Sequence, residues 1–360
     1  MFLALRDLKV ARGRFALVGL VIGLVALLTT LLSGLATGLV DDGISGLRSL
    51  PMTHIAFQHG AQSTFSRSTL TDANLAHFTG AGIEASPFGV SFFNAKTSEG
   101  TTIDLAMFGI APGSFLAPRQ DAQQAMAGGP GVVLSEEFRS QGVKAGDELT
   151  IVGPDTVLPV LGFTYAGSYG HVDIAFAPLA TWQALVYGDN PKGRFSAIAT
   201  RPADVAKLAA VDRVAGTETQ TKEAAYQGSP GFAAETGTMD LIRGFLLVIS
   251  ALIVGAFFTV WTIQRSRQIG LLKALGASNG YVLRDAMGQL GIVLVTATVL
   301  GAAVALGLGS LIGSGVPFSL QPEPILISTV ALVALGMAGA LVAVRRITTV
   351  DPIIAMGAES

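Results

Sequence analysis

Residues 15–40, from Phe15 to Val40, read FALVGLVIGLVALLTTLLSGLATGLV without one ionisable side chain. A bilayer core is about 30 Å thick and a helix rises about 1.5 Å per residue, so roughly 20 apolar residues cross it. The run exceeds that length. It is also about twice the usual 7–15 residues of a signal-peptide core, so the basic start and the Ala36-Thr37-Gly38 triplet do not predict cleavage. Three further stretches have the same character. Gly244 to Ile263 is bounded by Arg243 and Arg265, a helix ending near Gly313 lies within the uncharged tract Ala286 to Pro322, and Ile325 to Val344 stops at Arg345-Arg346. The expected fold is an α-helical membrane protein with four transmembrane helices plus an α+β extracellular domain inserted between the first and second.

Composition agrees. Of 360 residues, 50% are hydrophobic and 13% charged, about half the roughly 25% of charged residues in soluble domains. The mean hydropathy is +0.57. Glycine, 44 of 360 residues, exceeds its usual share of about 7%, as expected where helices pack closely in lipid. With 23 basic against 25 acidic residues, no net positive charge favours nucleic acid. The absence of cysteine excludes disulfides, thiolate nucleophiles, zinc-thiolate sites and iron–sulfur clusters.

Positive charges set the expected orientation. Arg6, Lys9, Arg12 and Arg14 precede the first span; Arg265, Arg267, Lys273 and Arg284 lie between the second and third; Arg345 and Arg346 follow the fourth. The stretch Ser314 to Pro324 has no Lys or Arg. This predicts a cytoplasmic amphipathic segment 1–14, transmembrane helix 15–40, extracellular α+β domain 41–239, transmembrane helix 240–263, cytoplasmic loop 264–285, transmembrane helices 286–313 and 325–344, and cytoplasmic tail 345–360. Both termini are then cytoplasmic in a multi-pass protein of the cell membrane.

Within 41–239 the residues are enough for a separate core. Alternating apolar runs predict strands at Thr53–Phe57, Ser91–Phe93 and Thr101–Phe108, the last two joined by a Ser98-Glu99-Gly100 turn. Gly131–Leu134 leads into Ser135, a helix N-cap with Glu136 and Glu137 in the favourable first turn. Gly146-Asp147 is a turn before the strand Glu148–Val152, and Val157–Phe163 is another strand. Pro178–Tyr187 and Pro202–Ala210 read as short helices, and Gly228–Gly237 as a hinge back to the membrane.

The sequence has no phosphate-binding G-x-x-x-x-G-K-[ST] loop and no GxSxG, HExxH or GxGxxG unit in a supporting context. The chain is therefore not expected to be an enzyme or to hydrolyse ATP itself. The apolar stretches Phe15–Val40, Gly244–Ile263, Ala286–Gly313 and Ile325–Val344 carry no ionisable group, which counts against an ion-coupled transporter. Energy for any work must come from a cytoplasmic partner. The histidines His54, His59, His77 and His171 all lie in the inserted region, and His54 and His59 fall on opposite faces of a strand, so no metal site is expected there.

The loop after the second span reads Gln264-Arg265-Ser266-Arg267-Gln268-Ile269-Gly270-Leu271-Leu272-Lys273-Ala274-Leu275-Gly276-Ala277-Ser278. Ile269, Leu272 and Leu275 recur at helical spacing with basic residues opposite, a short amphipathic helix suited to anionic lipid or to a partner's groove. These residues resemble the permease subunits of MacB/FtsX-type ABC exporters, whose corresponding segment reads approximately R-x-x-E-I-G-x-x-K-A-x-G-A. The topology, the run Gly131-Val132-Val133-Leu134-Ser135-Glu136-Glu137 with Gly146-Asp147 after it, and the Asp351-Pro352 tail also resemble that family. Gln268 stands where the family has glutamate.

The resemblance implies that Arg267, Gln268, Ile269, Gly270, Lys273, Ala274, Gly276 and Ala277 form a coupling helix against an ABC ATPase. It also implies a permease homodimer in the lipid bilayer with two ATPase copies, which bind the ATP and Mg²⁺. Small-residue pairs Gly19/Gly23, Gly34/Gly38 and Ala251/Gly255 mark helix packing, with the first and second spans expected at the dimer interface.

Wholly apolar spans suit a cargo taken sideways from the membrane, and length and domain size look most like the haem-efflux (HrtB-like) permeases. Haem is then a substrate rather than an intrinsic cofactor. Glu235, Met239 and Arg243, spaced by four, line one face of a helix that starts early. Glu235 or Met239 suits an iron and Arg243 a propionate, while packing by Met239 and snorkelling by Arg243 fit the same spacing. Met52, His54, Tyr169, His171 and Tyr226 are further candidates, beside Arg48 and the Asp41-Asp42 pair. The alternatives are an FtsX-like transmitter regulating an extracellular cell-wall hydrolase, and a lipoprotein or antibiotic-peptide exporter.

Overall fold

The computed structural model describes residues 12–118, 120–191, 193–264, 270–271, 275–312 and 316–348. The chain forms two compact units: an inserted domain, Val40–Thr236, and a helical unit built from the segments before and after it.

The first helix, α1 (Arg12–Arg48), is 37 residues long and runs past the expected end at Val40. Asp41 and Asp42 end the lipid-compatible sequence but not the helix. Ile44 and Leu47, three apart on one face, are buried in the inserted domain with Leu50, Phe57, Phe88, Phe108, Tyr169 and Phe176. Arg48 in the last turn complements the negative helix end and pairs with Asp41 at 2.6 Å. Lys222 Nζ donates to the carbonyls of Arg48 and Leu50 at 2.8 and 3.0 Å, satisfying groups that the helix end leaves open.

The inserted domain continues with β1 (His54–Gln58), β2 (Leu70–Thr71), α2 (Asp72–Gly80), β3 (Ala85–Thr97), β4 (Thr102–Ile110), α3 (Gln120–Ala127), β5 (Val132–Ser135), β6 (Glu148–Ile151) and β7 (Thr156–Thr164). Then come β8 (Ser168–Tyr169), β9 (Val172–Pro178), α4 (Leu179–Tyr187), β10 (Arg194–Phe195), β11 (Ala197–Thr200), α5 (Val205–Ala215), β12 (Thr217–Thr221) and α6 (Lys222–Ala225). The main sheet runs β12-β1-β11-β3-β4-β9-β5-β7-β6, with β8 beside β9. β6 also pairs with β3, so the strands from β3 to β6 close into a ring. This is the α+β domain expected from the alternating strand pattern, placed between the first and second long helices.

Local chemistry explains the departures from the expected elements. Ser135 does accept from the Glu137 amide, but residues Glu136–Arg139 form only a 3-10 turn that buries Phe138, not a full helix. α5 starts after Asp204, whose carboxylate accepts from the Ala206 and Lys207 amides as an N-cap. The expected hinge Gly228–Gly237 is largely helical, because α7 (Phe232–Gln264) begins inside it. Ala233, Ala234 and Glu235 favour helix, and an interior glycine such as Gly237 costs only about 1 kcal/mol.

The helical unit is completed by α8 (Asn279–Gly309) and α9 (Pro322–Thr348). α1, α7, α8 and α9 are each long and apolar enough to cross a membrane. Val18, Ile22 and Ala26 of α1 share a buried cluster with Leu290, Val293, Leu294 and Ala297 of α8, Val254 of α7 and Leu332 of α9. The small residues that marked helix contacts face partners in this same chain. Gly23 lies against Ala297 and Gly301, Gly34 and Gly38 lie under Phe318 and Pro317, and Gly255 faces Gly339. They permit close backbone approach inside one bundle.

Trp182 of α4, 1% exposed, lies on the backbone of β3 and β4 at Gly89 and Gly109. A Cβ on Gly109 would stand 2.6 Å from Trp182 Cβ. Gly109→Val is therefore expected to destabilise the inserted domain by about 1–3 kcal/mol through overpacking. Gly80→Ala, which meets open space, should leave the melting temperature of the full chain in detergent unchanged.

Candidate functional site

Carboxylates from two separate segments of the inserted domain converge on His171. It sits between β8 and β9 with φ at 63°, a left-handed conformation that is uncommon outside glycine and often marks a functional position. Its Nδ1 lies 2.8 Å from Asp42 Oδ2, on the last turns of α1. Its Nε2 lies 2.9 and 3.1 Å from the two oxygens of Glu235, in the first turn of α7. The Ser168 hydroxyl donates to Asp42 Oδ1 at 3.2 Å.

Burial alone lowers the His171 pKa, but the hydrogen bonds and charges of Asp42 and Glu235 outweigh it and raise the value above 6.5. The imidazolium can donate from both nitrogens, one to each carboxylate. Beside it, Asp173 is pushed up to about 7, first by burial and then by its hydrogen bond and charge contact with Glu137 and the charge of Asp42. Gln141 Nε2 donates to Asp173 Oδ2 at 3.0 Å, and the Ser135 hydroxyl donates to Glu137 at 3.0 Å.

Of the candidate cargo residues, His171 and Glu235 are brought together. Met52, Tyr169 and Tyr226 are in the hydrophobic core instead, at 2%, 2% and 7% exposure. Burial raises the phenol pKa of Tyr169, and that of Tyr226 to about 12. A phenol that is sealed from solvent and held protonated offers no oxygen anion to an iron. His54, in β1, is bonded to the Thr53 hydroxyl at 3.0 Å. No cluster of three or more His, Asp or Glu suited to a metal ion occurs among the described residues.

In the helical unit, Met239 and Arg243 come after Glu235 along α7 at the expected spacing. Arg243 Nη2 donates to the Ser33 carbonyl at 3.3 Å, and Nη1 lies 3.6 Å from Asp240. An apolar groove of about 610 Å³ runs along α1 and α8, lined by Phe15, Gly19, Leu27, Val293, Leu300 and Val304 among others. In the expected coupling segment, Arg267, Gln268, Ile269, Lys273 and Ala274 lie outside the described residues. Gly270 is described, and Gly276 (φ 97°) and Ala277 lead into Ser278, whose hydroxyl accepts from the Tyr281 amide and caps α8.

The roles of Asp42, Asp173 and Glu137 were missed by sequence reasoning. Asp42 and Glu235 are 129 and 64 residues from His171, so no local spacing could have linked them. An isolated polar pair at the end of an apolar run, Asp41-Asp42, is the nearest available signal.

Comparison with known proteins adds three findings. Residues 15–216, more than half of the chain, match the family described as MacB-like periplasmic core domain, and residues 241–352 match FtsX-like permease C-terminal. Two relatives from Staphylococcus epidermidis, named HrtB and described as hemin transport system permease proteins, are each 23% identical over 226 residues, 63% of this chain and 63% of theirs. The alignment thus leaves more than a third of those relatives uncovered. A protein of the same name from Staphylococcus haemolyticus is 24% identical over 358 residues, 99% of both chains. Two solved structures are also similar in part. The periplasmic region of MacB from Actinobacillus actinomycetemcomitans has TM-score 0.36 at 14% identity, covering 51% of this chain and 95% of that one. The extracellular domain of the ABC-type transporter YknZ from Gram-positive bacteria has TM-score 0.34 at 12% identity, covering 47% and 98%.

The raised Asp173 pKa carries a pH dependence of its own. A carboxyl that titrates at about 7 in the folded state and at 3.8 by itself leaves the fold with more bound protons than the unfolded chain over that range. Stability therefore falls as pH rises from about 4 to about 7. Asp173→Asn keeps the oxygen that Gln141 donates to and adds a donor for Glu137. It should flatten this decline in the melting temperature of the full chain, with the variant gaining on the native protein at neutral pH and above.

Proposed function

The chain belongs to the MacB/FtsX-type ABC permease family, and from that premise we propose that it is the membrane subunit of an ATP-driven exporter. The reading rests chiefly on one observation: the FtsX-like permease match covers α7 from residue 241 onward, α8, α9 and the loop that joins the first two. The sequence has no phosphate-binding loop of its own, so the work is done by a separate ATPase acting on the segment around Arg267 to Ala277. A pair of permeases and a pair of ATPases complete the pump, with ATP and Mg²⁺ held by the ATPases.

The proposed cargo is an apolar amphiphile drawn from the membrane, with haem as the first candidate. Three things support haem: the name carried by the relatives, the spans that hold no coupling charge, and the α7 face that carries Glu235, Met239 and Arg243 in succession. A carboxylate or thioether can approach the iron, and a guanidinium can pair a propionate. Glu235 is already hydrogen-bonded to His171, so Met239 is the more available iron ligand of the two, and loading through Glu235 requires that contact to open.

Optical titration of the purified chain with haem tests the cargo. A defined absorption shift is expected, and Met239→Ala, which leaves the His171 contacts intact, should weaken it by about tenfold or more. A shift no larger than that of empty detergent would rule out haem. Stimulation of the co-purified ATPase by the same ligand, lost when Lys273 and Ile269 are both changed to Asp, tests the coupling.

A further inference from the structure

Both points where the chain passes between the inserted domain and the helical unit meet at one imidazole. Asp42 lies two residues inside the boundary at Val40, and Glu235 lies one residue inside the boundary at Thr236. His171 holds both, at 2.8 and 2.9 Å. We propose that protonated His171 is a clasp that fastens the outgoing end of α1 and the incoming end of α7 to the inserted domain, and that loss of its proton loosens the α7 end.

The chemistry comes from the donor count. Imidazolium has two N–H groups, and neutral imidazole has one. After deprotonation one ring nitrogen turns a lone pair toward a carboxylate that it had been neutralising. The surroundings then make the change larger. Facing His171 are Asp42 from α1 and Glu235 from α7, with Asp173 next along β9 and Glu137 bonded to it from the turn after β5. Three arginines on these elements are already paired: Arg48 with Asp41, Arg139 with Glu136, and Arg243 with Asp240. His171 thus carries the positive charge that balances Asp42 and Glu235.

The direction of the pH effect is fixed by the upward shift at His171. A group whose folded-state pKa exceeds its unfolded value stabilises fully below the unfolded value, here 6.5. That contribution is lost as pH rises through the folded value. Asp173 ionises near 7, adding negative charge in the same range. Other ties to α1 do not titrate there: the Ser229 hydroxyl and the Gly170 amide both donate to the Gly43 carbonyl at 2.9 Å. Release is therefore local, freeing the start of α7 while α1 stays anchored. The inference goes beyond the permease reading and needs neither cargo nor ATPase, so its failure would leave that reading untouched.

The chain has no cysteine, so a pair of introduced cysteines carries spin labels without background. Labels at Lys144→Cys and Ala233→Cys, both exposed positions of the inserted domain, report the start of α7 against the sheet by electron–electron distance measurement in nanodiscs. Below the unfolded histidine value, at about pH 5.5, the native clasp should give one sharp distance. At about pH 9 that sharp distance should be lost to a broader, longer distribution. His171→Asn, chosen because asparagine tolerates a positive φ, should give one distribution at both pH values. A native distribution that does not change with pH overturns the proposal, and so does a pH response that survives in His171→Asn.

Discussion

The burial of Ile44, Leu47 and Leu50 is the contact on which the rest of the structure depends. α1 solves two solvation problems with one helix. Beyond its first turn, the apolar part of α1 satisfies its backbone groups within the helix, as an environment without water requires. Its last turns carry charges and need a different partner, and the inserted domain supplies one by wrapping an apolar face that is only three side chains wide. If those side chains faced water, the helix would have every reason to stop at Asp41. Because they are core, the helix continues, and the domain is built on it.

That arrangement explains the polar chemistry around it. A helix end inside a folded domain exposes carbonyls that must be satisfied, and Lys222 reaches Arg48 and Leu50 from the far end of the domain sequence. A helix that carries Asp41 and Asp42 into the domain also brings negative charge. Arg48 answers the first and His171 the second. The second long helix then adds Glu235 to the same imidazole. The cluster is the electrostatic consequence of a domain whose first and last segments both bring a carboxylate to one imidazole.

The helical unit uses a different device. With apolar side chains equally content in lipid or against one another, packing is decided by how near the backbones can come. Gly23 against Gly301 and Gly255 against Gly339 provide that approach, while Ser33 accepts from Arg243 where the bundle needs a polar tie.

The four spans, the insertion of an α+β domain between the first two, most of its strands and the absence of an ATPase loop were all legible in the amino-acid sequence. Each depends on local information: an apolar run of sufficient length, a period-two alternation, a motif with fixed spacing. The helix ends were less legible: the end at Arg48 is set by the side chains the domain buries, and the start at Phe232 lies inside a glycine-flanked stretch whose alanines and glutamate favour helix. The coming together of Asp42, His171 and Glu235, the sequestration of Tyr169 and Tyr226, and the use of small residues within one chain were decided by tertiary structure alone. Their partners lie scores of residues away, and a side chain's charge state and exposure are properties of the neighbours that folding brings to it.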